Sequence, residues 1–65
     1  MCWYIVVKNK STKWCQLRHI IRCEPGTTIQ DAMDDYYRLF HKLDGDLFFI
    51  AKSRDELETI VEREE

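Results

Sequence analysis

Residues 2–8, Cys-Trp-Tyr-Ile-Val-Val-Lys, constrain the fold more than any other stretch of the chain. The five residues from Trp3 to Val7 are aromatic or β-branched, with no strong helix former and no polar alternation. That pattern is a strand covered on both faces, which places it at the centre of a sheet. Only 65 residues are present to supply its neighbours. At ~100–200 residues per domain this is a single compact domain, residues 1–65, and a chain so short buries only about 60% of its unfolded surface. A roomy enclosed active site is therefore not expected. Hydrophobic residues make up 45%, charged residues 34%, with two Gly and one Pro, a composition that folds instead of staying disordered.

After the polar Asn9-Lys10-Ser11-Thr12, residues 13–23 (KWCQLRHIIRC) resume with apolar and polar residues interspersed, and the two segments read as a β-hairpin. With the turn centred on Lys10-Ser11, Val7 faces Trp14, Ile5 faces Gln16 and Trp3 faces Arg18, while Val6 faces Cys15 and Tyr4 faces Leu17. A shift of one residue exchanges the two faces. Pro25-Gly26 stops the second strand. Thr27 or Thr28 then caps a helix over residues 28–42, whose stripe is Ile29, Ala32, Met33, Tyr36, Phe40 and Leu43, with Gly45 as stop and turn. Residues 46–51 (DLFFIA) form a short third strand, and the capping box Ser53-Arg54-Asp55-Glu56 opens a shorter helix over 54–63, buried through Leu57, Ile60 and Val61. The expected fold class is α+β, ββαβα, with one long and one short helix and a three-stranded sheet in the order 2-1-3.

The net charge of −2 conceals a polarity along the chain. Residues 1–23 carry five cations and no acid; residues 24–65 hold all twelve acids against five cations. No stretch reads as a signal peptide or approaches the ~18 apolar residues of a membrane span, and three cysteines, Cys2, Cys15 and Cys23, cannot all pair. A cytoplasmic chain with reduced thiols and no membrane partner is expected.

The candidate site is the hairpin face with Trp3, Ile5, Trp14, Gln16, Arg18 and Arg22. Tyr4, Val6, Cys15, Leu17 and Ile21 on the other face suffice to receive the long helix, which leaves two Trp residues displayed beside arginines. Trp and Arg are the types most enriched at binding hot spots. If the C-terminal helix covers this face instead, both Trp residues are core, and a homodimer burying the face is the further outcome. The same hairpin combines aromatic platforms with Lys8, Lys13, Arg18 and Arg22, which suits nucleic acid, although a pI of about 5.6 does not.

Cys15, His19 and Cys23 are spaced by four, which on a strand separates them by ~13 Å per step, too far for one zinc ion, so no metal is expected. Cys2 across from His19 offers a thiol-imidazole pair without an oxyanion hole or cleft, and no catalytic residue or cofactor is assigned. Asp44 and Asp46 lack the spacing of a calcium loop. In size and in its strand-strand-helix-strand order the chain looks like the small phage-encoded proteins that inhibit host machinery, such as phage inhibitors of bacterial RNA polymerase and anti-CRISPR proteins. That likeness implies binding instead of catalysis. The expected function is a non-enzymatic protein-interaction module whose larger partner presents an acidic or apolar groove, with nucleic-acid binding as the alternative.

Overall fold

The first strand does not end where its side chains turn polar. In the computed structural model, which describes residues 2–11 and 13–63, the first strand β1 (Trp3–Ser11) continues through Asn9 and Lys10. The second strand β2 (Trp14–Cys23) returns antiparallel to it, and after helix α1 (Ile29–Leu39) the third strand β3 (Asp46–Ala51) pairs with the other edge of β1, also antiparallel. Helix α2 (Arg54–Glu62) follows. The sheet order is β2-β1-β3, so the fold is the α+β, ββαβα arrangement expected, with helices of 11 and 9 residues. No helix among the described residues is long and apolar enough to cross a membrane.

The longer β1 corrects the hairpin register. Trp3 pairs with Cys23, Ile5 with Ile21 and Val7 with His19; a bulge then leaves Arg18 unmatched, and Lys8 pairs with Leu17 and Ser11 with Trp14. The expected turn at 9–12 fails because Asn9 and Lys10 have partners on both sides: Gln16 and Cys15 in β2, and the Asp44–Asp46 turn before β3. Thr12 itself lies outside the described residues.

The helices also take the opposite faces from those expected. Ile5 and Val7, both 0% exposed, form the core with Ala32 and Tyr36 of α1, joined by Ile21, Cys23, Tyr37, Phe48 and Ile50. The long helix thus sits on the Trp3-Ile5-Val7 face, where the Tyr4-Val6 face was expected to receive it. Helix α2 covers that other face, with Leu57, Val61 and Ile60 near Ile20 and Phe49. Lys8 is buried there, and its ammonium donates to the carbonyls of Ile60 and Arg63 at the C-terminal end of α2, the end that favours a positive charge. Covered on both sides, the residues from Ile5 to Lys8 are all buried.

Local chemistry sets the element ends. Glu24-Pro25-Gly26-Thr27 is a turn with Gly26 at φ 95°, Thr27 donating back to the Glu24 carbonyl. Thr28 caps α1 by accepting from the Asp31 N–H, and Ser53 caps α2 by accepting from the Glu56 N–H. The return bond of the capping box goes one residue further back, from the Lys52 N–H to the Glu56 carboxylate. Helix α1 ends at Leu39 instead of residue 42, because Phe40 turns extended and folds its ring onto Tyr36 at 4.6 Å. Gly45 therefore does not stop the helix. It has φ 88°, and a Cβ there would lie 2.4 Å from the Lys10 carbonyl oxygen, so its role is a close crossing of the turn over β1.

Candidate interaction surface

The bulge at Arg18 organises the α1 face of β2. Without it the side chains would alternate; with it Arg18 and His19 project to the same side, as a bulge allows. His19 packs against Phe40 at 5.4 Å and Tyr36 at 6.0 Å, and the Arg18 guanidinium lies 5.5 Å from the Tyr36 ring centre. Arg18 also reaches across β1 to Asp46 of β3, donating to its Oδ2 at 2.5 Å. The same carboxylate accepts from Asn9, Tyr37 and the Leu43 N–H. Burial alone would raise the Asp46 pKa, but the hydrogen bonds from Asn9, Leu43 and Arg18 outweigh it and hold the group below its ordinary value. Burial and the neighbouring Asp46 charge push the Tyr37 hydroxyl up. Arg18 is thus a clamp that ties the bulged edge to the far strand.

The six predicted site residues do not form one surface. Ile5 is core, and Arg22, paired with Tyr4, lies on the α2 face, where its Nε donates to the Cys2 thiol at 2.9 Å. Arg18 is engaged by Asp46. Trp3 is half-buried on the α1 face with the Lys52 ammonium 5.2 Å from its ring centre, at the end of the sheet remote from Trp14. Neither Trp lies beneath α2. Trp14 and Gln16 stay exposed near the hairpin tip, Trp14 at 58%. The register also parts Cys2 from His19, which pairs with Val7, so the thiol-imidazole pair is not assembled.

What sequence reasoning missed is a groove. Helix α1 packs over β1 and β3 and leaves the β2 side of the face open, as a cleft of about 500 Å³ between His19, Ile21 and Cys23 on one wall and Tyr36, Leu39 and Phe40 on the other. Leu39 is 80% exposed. It follows Tyr36 at i+3, beside Phe40 at i+4, so helical spacing alone gave no sign that it would stay exposed. Glu24 and Asp35 stand on the rim. On the opposite side of β2, Leu17 and Ile20 are also exposed. The outer edge of β2 is unpaired by any described strand, so an open ten-residue edge runs between these apolar patches. The chain matches no protein-family model, no curated protein and no solved structure.

Proposed function

We propose that the protein is a non-enzymatic, cytoplasmic protein-interaction module that occupies a site on a larger protein, in the manner of a small phage inhibitor. The open edge of β2 and the tip of its hairpin make the contact. The observation that carries this reading is the union of an unpaired edge, an exposed Trp14 and an apolar groove on one strand. An extended segment adding to such an edge gains main-chain hydrogen bonds, while side chains entering the groove supply specificity. Trp14 provides the large amphipathic anchor typical of interface centres.

Nucleic-acid binding is the competing reading, and the placement of cations favours it less. Lys8 is consumed by the end of α2, Arg18 by Asp46, and Arg22 faces away from Trp14. Phosphate tracking needs several free cations along one path.

Affinity capture from the native host with wild-type chain, Trp14→Ala and Glu58→Ala tests the proposal. Arg18 is unsuitable for substitution because its loss breaks the Asp46 cluster. A specific partner retained by wild type and Glu58→Ala and lost with Trp14→Ala is the expected result. A partner retained by all three moves the contact elsewhere, and salt-sensitive binding to DNA or RNA that disappears on Lys13→Glu would establish the rival.

A further inference from the structure

We propose that β2 pairs edge to edge and antiparallel with β2 of a second copy of this chain, about a two-fold axis between Arg18 and His19. The inference rests on the reading of β2 as a pairing edge and names what occupies it before a larger protein does.

The bulge makes the strand self-complementary. Side chains 14, 16, 18, 19, 21 and 23 belong to the α1 face, and 15, 17, 20 and 22 to the α2 face. Because the unmatched residue sits at the middle of a ten-residue strand, this order is the same from either end. A regular strand could not place an axis between two residues, since opposed side chains would then fall on opposite faces. Here every pair matches: Trp14 meets the partner's Cys23, Gln16 the partner's Ile21, and Leu17 the partner's Ile20.

Those pairings join what each copy leaves exposed. Trp14 reaches the Cys23 end of the facing groove, and two Leu17–Ile20 pairs close the apolar strip on the α2 face. Just outside the strand, Lys13 comes opposite the partner's Glu24, so the basic hairpin tip meets an acid twice by symmetry. At the axis, Arg18 approaches the partner's His19 with its charge already matched by Asp46. The chain exposes 5005 Å², more than the roughly 4400 Å² of a compact monomer of 7.9 kDa, as a chain with an uncovered sheet edge should.

Sedimentation of the full chain over a concentration series tests the pairing. The mass should rise with concentration from 7.9 kDa to twice that value. Lys13→Glu and Glu24→Lys, both at exposed positions, should each raise the dissociation constant about 3- to 10-fold, the scale of two exposed ion pairs reversed at once. The double variant should recover most of the affinity. Trp14→Ala should weaken the dimer further, with the circular dichroism of each variant unchanged. A chain that stays monomeric throughout overturns the proposal, and would give the bulge the opposite role of turning an edge away from partners. A dimer indifferent to Trp14→Ala and to both charge reversals overturns the β2 register. Either failure leaves the capture experiment free to succeed with monomeric chain, so the two readings fall separately.

Discussion

At the scale of single residues, Asp46 is the side chain on which most of the polar structure converges. Its depressed pKa means that its contribution to stability is complete above the unfolded value of ~3.9 and is lost as pH falls through the lower folded value. Asp46→Asn should therefore melt below wild type at pH 7, and the gap should close as both are acidified past pH ~4. Urea midpoints measured against pH check this. The two glycines with positive φ separate strain from crowding. Gly26→Ala meets nothing within 4 Å and should cost only the ~1–2 kcal/mol of a left-handed backbone, whereas Gly45→Ala also drives a Cβ into the Lys10 carbonyl and should cost clearly more. Equilibrium unfolding of the pair gives the difference directly.

At the scale of elements, the weak member is α2, which has no fully buried residue and is held by its caps and by Lys8. Ser53→Ala should cost ~1 kcal/mol through the lost N-cap. Lys8→Met should cost ~1–3 kcal/mol by removing the buried side-chain donor that ties the Ile60 and Arg63 carbonyls to β1. Amide exchange should show the loss in Lys8→Met concentrated in residues 54–62. The elements were legible in the sequence because each carries a local signal: the unbroken Trp3–Val7 run, the Thr28 and Ser53 caps, the glycine turns. Strand order followed from which strand was apolar on both faces. Register was not legible, since local signals do not reveal the bulge at Arg18, whose side chain meets Asp46, 28 positions away. The site suffered accordingly. Trp14 and Gln16 are exposed, but Ile5 lies under α1, which covers the face expected to stay open, and the bulge at Arg18 moves Arg22 to the α2 face. The groove depends on where α1 stops, which Phe40 decides by stacking on Tyr36 instead of continuing the helix.

At the scale of the whole molecule, two helices cover a three-stranded sheet unevenly. Helix α2 packs on β3 and β1 and α1 lies nearest β3, so the unmet apolar surface gathers along the β2 edge, with Trp14, Leu17, Ile20 and Leu39 all exposed beside it. The charge polarity of the sequence acquires a geometric meaning there: the acid-free hairpin supplies the edge, and the acidic remainder supplies its rim through Glu24 and Asp35. The central claim is that β2 is the edge through which two copies of this chain associate. Residue-resolved amide hydrogen exchange at low and high protein concentration tests it most directly. Amides along Trp14–Cys23 should gain protection as concentration rises while those of Asp46–Ala51 do not change. Unchanged protection along β2, or a gain confined to β3, would contradict it.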